Sequence, residues 1–156
     1  MTGRALALAA VALSTLAGAA GVAGLAARRT APEAAPPLDV VTLDGRRASL
    51  ASLRGRPVVV EFFAPWCPEC RRDVPKLNDL ASRGTAVLAV AGEGTREDVL
   101  AFARETGARY PIALGDPDTA ARYGVSTYPT RFLVGPDGEL VGRDVDFPRI
   151  LREVRP

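Results

Sequence analysis

The fold is decided by residues 58–70, VVVEFFAPWCPEC, in which an apolar run leads into a closely spaced pair of cysteines. Residues 58–64 are too continuously apolar for a surface strand, and they predict the buried centre of a sheet. Cys67 and Cys70 are the only two cysteines of the chain, and they lie where this strand gives way to a predicted helix. Two thiols at this spacing can close into a disulfide and reopen by thiolate attack, so the motif indicates thiol redox chemistry.

Two other uses of the cysteine pair are open at this point. As a structural staple it explains little, because closing so short a loop removes unfolded-chain entropy worth only about 2 kcal/mol. As a metal site it offers two soft thiolates that suit Cu(I), which makes a Cu(I) carrier an alternative. The chain has no histidine, which argues against such a carrier and excludes Cys-His proteases, Ser-His-Asp hydrolases and His-ligated zinc sites. We expect no metal site and no cofactor beyond the Cys67–Cys70 disulfide.

The N-terminal residues differ in composition from the rest. Residues 5–27 form an uncharged run of mostly Ala, Gly, Leu and Val after Arg4, so residues 1–29 predict an export segment. As a helix the run would reach about 34 Å, enough for a signal-anchor across roughly 30 Å of hydrocarbon. The alternative is a cleaved signal peptide, because residues 17–19, AGA, fit a signal-peptidase site. Residues 30–37, TAPEAAPP, predict a Pro/Ala-rich tether, and residues 38–156 predict the folded domain.

The charge of the chain gives no sign of nucleic-acid binding. The whole sequence has 20 Lys and Arg against 18 Asp and Glu. Without residues 1–30 the basic count falls by three to 17, so the exported part is near neutral. No basic stripe with interleaved aromatic residues is present, and we therefore expect no nucleic-acid partner.

Strand and helix patterns alternate along the predicted domain. Residues 38–50 predict a hairpin that turns at Asp44-Gly45, and the helix that starts near Cys67 should run to about Ser82 with a kink at Pro75. Further strands are predicted at 85–91, 110–114, 132–134 and 139–143, and further helices at 95–107, 116–124 and 147–154. This order predicts an α/β sandwich around a mixed sheet, with the hairpin as an N-terminal extension.

The order of these motifs resembles that of thioredoxins and, more narrowly, of the TlpA/ResA-like branch of exported thiol:disulfide oxidoreductases. The resemblance rests on the segment 66–70 (WCPEC), Pro75 five residues later, 128–130 (YPT) before the last hairpin, and 132–138 (FLVGPDG). It covers about residues 36–143. It implies a thioredoxin-like fold on the extracytoplasmic side of a bacterial membrane, anchored there, or periplasmic or secreted if the signal is cleaved.

The resemblance also implies roles for the residues of the motif. Cys67 is the expected nucleophile, since the start of a helix favours its thiolate, and Cys70 is the expected resolving cysteine. Pro68 and Glu69 are expected to tune the couple. Glu61, six positions before Cys67, is expected to relay protons to Cys70, because burial would raise its pKa; the alternative is a strand-end glutamate that reaches solvent.

Four more positions are implied near the cysteines. Asp73 matches a position where ResA-like proteins carry an acid, although a solvated helix residue is an equal alternative. Pro129 is the expected cis proline, which would present the backbone of Tyr128 to an extended substrate chain. Trp66 and Tyr128 are expected to line the same substrate-binding surface. The alternative for Trp66 is a buried core position, and the alternative for Tyr128 is a partly buried spacer.

The leading functional hypothesis is a reductase of disulfides in extracytoplasmic proteins, with a membrane-embedded electron donor as its partner and apocytochrome c, in cytochrome c biogenesis, as one candidate substrate. A peroxiredoxin-type peroxidase is a second hypothesis, but that family carries Thr or Ser and Pro where this chain has Ala64 and Val60. A Cu(I) metallochaperone and a noncatalytic interaction domain are the remaining two hypotheses.

Overall fold

The structure is a computed structural model that describes residues 32–154. The predicted export segment, residues 1–29, lies outside the described residues, as do the first two residues of the predicted tether. The elements run in the order β1 (Asp39–Val41), β2 (Arg47–Ser49), a short 3-10 helix (Ala51–Leu53), β3 (Val58–Phe63), α1 (Pro68–Ser82), β4 (Ala86–Ala91), α2 (Arg96–Thr106), β5 (Ile112–Leu114), α3 (Pro117–Arg122), β6 (Thr130–Val134), β7 (Leu140–Arg143) and α4 (Phe147–Glu153). Within residues 32–154, no helix combines the length and apolar character that a membrane crossing needs.

The main sheet has five strands in the order β5-β4-β3-β6-β7. Strand β3 is parallel to β4 and antiparallel to β6, so the sheet is mixed as predicted. All six residues of β3 are buried, which confirms that the apolar run forms the centre of the sheet. The predicted N-terminal hairpin is also present, as a separate two-stranded sheet of β1 and β2.

The two faces of β3 pack into different parts of the core. Val59 and Phe63 lie in the cluster formed with the inner faces of α1 and α2, whereas Val60 and Phe62 lie in the cluster on the opposite side of the sheet. Because successive side chains of a strand point to opposite faces, Glu61 lies on the same face as α1. Both cysteines also belong to the α1-side cluster, so the strand places its one acid on their side of the sheet.

Helix α1 starts where the cysteine motif predicts. Cys67 is its N-cap and Pro68 its first residue, a position where the missing N–H of proline leaves no hydrogen bond unmade. The helix continues through Pro75 as far as Ser82, and it buries Val74, Leu77 and Leu80 at helical spacing. The start of the helix, and therefore the position of Cys67, is fixed locally.

Helix α2 also has the predicted ends. Thr95 and Asp98 form a complete capping box at its N-terminus, and Gly107 ends it in the left-handed conformation with φ of 67°. Strand β5 is shorter than predicted, since Tyr110 and Pro111 precede its first residue, Ile112.

The described part of the predicted tether is bound to the domain. Ala34 forms an isolated antiparallel bridge with Glu139, and the buried Tyr123 donates its hydroxyl hydrogen to the carbonyl of Pro36 at 2.7 Å. The composition of this segment shows only that it lacks large apolar side chains. It is held instead by backbone hydrogen bonds of residues 33–36 and by the ion pair of Glu33 with Arg143, neither of which needs such side chains. Residues 34–36 are therefore part of the folded domain and not a free spacer.

Candidate active site

The two cysteines form a disulfide at the N-terminus of α1. Their Cα atoms are 5.3 Å apart, and the backbone N–H of Cys70 donates to the Cys67 sulfur at 3.1 Å. Cys67 is 3% exposed and Cys70 is fully buried, so Cys67 is the one with surface to offer an attacking group. A helix N-terminus favours a thiolate through its free N–H groups and its dipole. The geometry therefore gives the two sulfurs unequal positions of the kind that the sequence predicts.

The residues between the cysteines differ in what they contact. Pro68 opens the helix, and Glu69 lies in its first turn. The Glu69 carboxylate is largely exposed and forms an ion pair with Arg72, whose Nε donates to it at 3.1 Å. Glu69 is thus engaged by a cation one turn along the helix, and a tuning role for it stays a prediction.

Trp66, the residue before Cys67, contacts a second aromatic side chain, Tyr128. Trp66 is 66% exposed, so the alternative of a buried core position is wrong. Its ring meets that of Tyr128 edge to face at a centroid distance of 6.3 Å, and its indole N–H donates to the Glu93 carboxylate at 3.2 Å. The peptide bond between Tyr128 and Pro129 is cis, as expected. Burial, and then the nearby Glu93 carboxylate, raise the pKa of the Tyr128 hydroxyl.

Tyr128 also approaches the backbone of Gly92 closely. Gly92 follows β4, and a Cβ atom built on it would overlap the hydroxyl and ring edge of Tyr128. A larger residue at this position would have to displace the Tyr128 ring, so the preference for glycine here comes from space and not from backbone conformation. Gly92 and Glu93 were not among the predicted site residues, because the sequence does not show that the end of β4 lies beside Trp66.

Glu61 is buried, with only 1% of its surface exposed, so the alternative of a solvated strand-end glutamate is wrong. It is paired in register with Arg131 of β6, whose Nε donates to its carboxylate at 2.9 Å. Burial raises the pKa of Glu61 to about 7, against the lowering effect of Arg131, and Asp73 adds to the rise. The expected burial is confirmed, whereas the proton-relay role stays a prediction.

Asp73 belongs to the same buried group of charges. It accepts from the Arg131 Nη2 and from Lys76, whose Nζ lies 2.9 Å away. Its side chain is buried, so the alternative of a solvated helix residue is wrong. Arg131 also donates through Nη1 to the carbonyl of Val145 at 3.2 Å and lies over the Phe147 ring.

Arg131 and Lys76 are functional candidates that the sequence did not reveal. The only local signal for Arg131 was a buried glutamate in need of a cation, since a buried charge without a partner is costly. Its position opposite Glu61 depends on how β6 pairs with β3, across a sequence separation of 70 residues.

The thiolates available to a soft metal ion are those of Cys67 and Cys70. Residues 32–154 hold no cluster of three or more His, Cys, Asp or Glu residues placed to bind a metal.

A thiol-disulfide oxidoreductase and a thioredoxin-like protein align with most of the described domain. A thiol-disulfide oxidoreductase, ResA, from Bacillus thuringiensis strain Al Hakam is 30% identical over 112 residues, which cover 69% of this chain and 65% of the relative. The thioredoxin-like protein YneN of Bacillus subtilis strain 168 is 31% identical over 110 residues, which cover 67% of this chain and 65% of YneN. The aligned part thus spans slightly less than two thirds of the length of these curated relatives.

A solved structure gives the same result for the fold. The thiol:disulfide interchange protein of the thioredoxin family from Chlorobium tepidum TLS superposes with a TM-score of 0.70 at 30% identity, over 80% of this chain and 97% of that one. The five-stranded mixed sheet with its flanking helices is therefore a thioredoxin-like fold, as the resemblance implied. The sequence profile of the AhpC/TSA family matches residues 31–143, and the chain belongs to that family.

Proposed function

We propose that this chain is an exported thiol:disulfide oxidoreductase that reduces disulfides in extracytoplasmic proteins. The observation that carries the proposal is the Cys67–Cys70 disulfide at the N-terminus of α1, with Cys67 slightly exposed and Cys70 fully buried. The names of the relatives, thiol-disulfide oxidoreductase and thiol:disulfide interchange protein, support this chemistry. The AhpC/TSA profile supports the family and does not by itself choose a substrate.

The reaction begins with the reduced enzyme. The Cys67 thiolate attacks one sulfur of a substrate disulfide; a new disulfide forms between Cys67 and the substrate, and the other substrate sulfur leaves as a thiolate that takes a proton from water. The Cys70 thiol then gives its proton to the Glu61 carboxylate. The Cys70 thiolate attacks the Cys67 sulfur, which forms the Cys67–Cys70 disulfide and releases the second substrate thiolate. Two electrons have moved from the enzyme to the substrate.

The surface around Cys67 is suited to an extended polypeptide. Trp66 is exposed, Tyr128 meets it edge to face, and Pro129 follows. Proline has no N–H, so a substrate strand beside it meets no competing donor at that position. We assign Trp66, Tyr128 and Pro129 to substrate binding, with the aromatic rings as the main contact area.

We further propose that the enzyme is exported through residues 1–29, either as a signal-anchored or as a cleaved protein, and is kept reduced by a membrane-embedded dithiol donor. An oxidising compartment makes such a supply of electrons necessary, because a dithiol left there is oxidised. Apocytochrome c, in cytochrome c biogenesis, is one candidate substrate.

A redox titration of the full chain in glutathione buffers tests the proposal. A midpoint near that of thioredoxin, about −270 mV, supports a reductase, whereas one near −120 mV means a dithiol oxidase. Turnover of a model protein disulfide should be measured on the same preparation, with Cys67→Ser as the inactive control. Absence of turnover by the intact chain refutes the proposed chemistry.

Two other activities are tested alongside. Cu(I) titration of the reduced chain addresses a metallochaperone, and tight stoichiometric binding without disulfide turnover would favour it. Consumption of hydrogen peroxide addresses a peroxidase. Ala64 and Val60, both fully buried, place no hydroxyl and no proline where peroxiredoxins carry them, so we expect no such activity.

A further inference from the structure

One arginine connects the elements that carry the candidate active site. Arg131 lies two residues after the cis proline and donates from all three of its side-chain nitrogens. The Nε donates to Glu61 on β3, Nη2 to Asp73 on α1, and Nη1 to the carbonyl of Val145 before α4. The side chain is 12% exposed, so these contacts are made largely out of water.

Charged groups face Glu61 from β6 and from α1, whereas its register partner on β4 is the uncharged Ala89. Arg131 faces it from β6, and Asp73 and Lys76 face it from α1. Tyr110, which precedes β5, is a neutral neighbour whose own pKa is raised by burial and then by Glu61 and Asp73. Cys67 and Cys70 lie in the core cluster on the same face of the sheet.

Within this group two carboxylates share one guanidinium. Asp73 has a second cationic partner, Lys76, whose side chain is 56% exposed. Glu61, in contrast, has Arg131 as its one hydrogen-bonded cation among the described residues. A planar guanidinium can hold two carboxylates at fixed positions in a way that an ammonium cannot. Arg131 is therefore the main group that neutralises the negative charge of Glu61, on the face of the sheet where the cysteines lie.

Stability alone does not explain the arrangement. A buried ion pair generally contributes no more to stability than well-packed apolar residues of the same volume. The network is also placed where it matters for the proposed chemistry, because Asp73 lies three residues after Cys70 on α1 and so about one turn further along the helix.

We propose that Arg131 is a positioning residue for the disulfide exchange. Its guanidinium binds the carboxylates of both Glu61 and Asp73, and it thereby sets the pH at which Glu61 can take the proton of the Cys70 thiol. This inference rests on the proposed function. Arg131 itself contacts neither sulfur in this scheme and acts only through Glu61.

The proposal predicts opposite effects for two substitutions. Arg131→Met removes the cation that favours ionised Glu61, so the alkaline rise of the resolving step should move up by about one pH unit or more. Asp73→Asn removes the competing carboxylate and should move the same rise down. Near neutral pH a displacement of one unit corresponds to about a tenfold change in rate. A purely structural role would lower activity in both variants without moving the pH profile in opposite directions.

The test follows release of the substrate thiol from the Cys67 mixed disulfide in a single turnover, across mildly acidic to alkaline pH. The full chain is compared with Arg131→Met, Asp73→Asn and Glu61→Gln. Arg143→Met is the matched control, since Arg143 lies on the neighbouring strand β7, is ion-paired with Glu33 and is partly exposed. We expect the control to keep the parent profile.

A second readout does not depend on turnover. Titration of the Glu61 carboxyl by carbon NMR in the oxidised chain should give a higher pKa in Arg131→Met and a lower one in Asp73→Asn. If the parent chain has no turnover but these displacements appear, the proposed function fails while the assignment of Arg131 to Glu61 stands. If turnover is normal and the Glu61 titration does not move, the inference is overturned.

Two further outcomes decide the mechanism. If Arg131→Met still moves the rate profile in a Glu61→Gln background, Arg131 acts directly on the cysteines and the inference is wrong. If Arg131→Met does not fold, Arg131→Lys is used instead, because lysine keeps the positive charge but lacks the planar guanidinium that binds both carboxylates. We expect Arg131→Lys to give a displacement in the same direction and smaller; an unchanged profile in both Arg131→Lys and Asp73→Asn would overturn the proposal.

Discussion

The titration of Glu61 should be visible in the stability of the oxidised chain. Its pKa is raised from the ordinary value of 4.5 to about 7 by burial. Between these two values the folded state holds a proton that the unfolded state has released. Stability must therefore fall as pH rises through this window, since the slope follows the difference in bound protons. Below about pH 4.5 Glu61 is neutral in both the folded and the unfolded state and leaves stability unchanged, and above about pH 7 the full loss of stability is reached.

The size of the loss follows from the displacement of the pKa. At 1.36 kcal/mol for each pH unit, the rise from 4.5 to about 7 corresponds to about 3 kcal/mol. Glu61 is almost completely buried, so screening by solvent does not reduce this figure. A loss of that size is a substantial part of the 5–15 kcal/mol typical of a folded domain.

The composition of this chain keeps other groups out of the window. It has no histidine, the side chain that would otherwise titrate there. Both cysteines are in the disulfide and do not titrate. Asp44, whose pKa is lowered to about 2 mainly by its hydrogen bond from Thr42, changes stability only below its ordinary value of 3.8. The slope between about pH 5 and 7 should therefore belong mainly to Glu61.

Urea unfolding of the full oxidised chain at a series of pH values measures this slope. The parent should lose about 3 kcal/mol across the window, and Glu61→Gln should be nearly flat. Glu105→Gln is the control, because Glu105 is an exposed glutamate ion-paired with Arg71. Equal slopes in the parent and Glu61→Gln, or a parent stability that rises with pH in this window, would refute the reasoning.

Three further outcomes concern the surface and the sulfurs. Cys70→Ser should accumulate a mixed disulfide through Cys67 that a non-reducing gel detects, whereas Cys67→Ser should form none. Trp66→Ala should raise KM for a protein disulfide by an amount corresponding to about 1 kcal/mol, with kcat little changed, because Trp66 offers exposed contact area and no reacting atom. Gly92→Ala should destabilise the chain by about 1–3 kcal/mol in thermal unfolding, because its methyl group displaces the Tyr128 hydroxyl; an unchanged melting temperature would contradict that.

Local sequence signals were sufficient for the positions of the cysteines and of the helices. The helix predicted at 95–107 is bounded in the structure by the capping Thr95 and the left-handed Gly107, and the helix predicted near Cys67 begins at Cys67-Pro68. These signals act within one turn of the chain. The uninterrupted apolar run of β3 likewise identified the central strand, because only a strand covered on both faces has that pattern.

The partners of Glu61 could not be found in this way. Its pairing with Arg131 is a matter of strand register, and register is fixed by the whole sheet and not by the residues near either side chain. Glu93 was missed for the same reason, since it meets Trp66 only because β4 ends beside the start of α1. The contacts of residues 34–36 with the domain could not be predicted either, because the segment makes them through backbone atoms, which composition does not show.

The energetic position of Glu61 bears on how the site works. A carboxylate that costs about 3 kcal/mol when charged is held beside a cation that only partly compensates it, so both of its protonation states are accessible near neutral pH. A stronger ion pair with Arg131 would keep Glu61 ionised and make it a weak base. Without any cation nearby, Glu61 would stay protonated near neutral pH and could not accept the proton of the thiol. The division of Arg131 between Glu61 and Asp73 gives the intermediate case. A proton acceptor for a buried thiol needs that balance, which makes the shared guanidinium as relevant to the chemistry as the carboxylate itself.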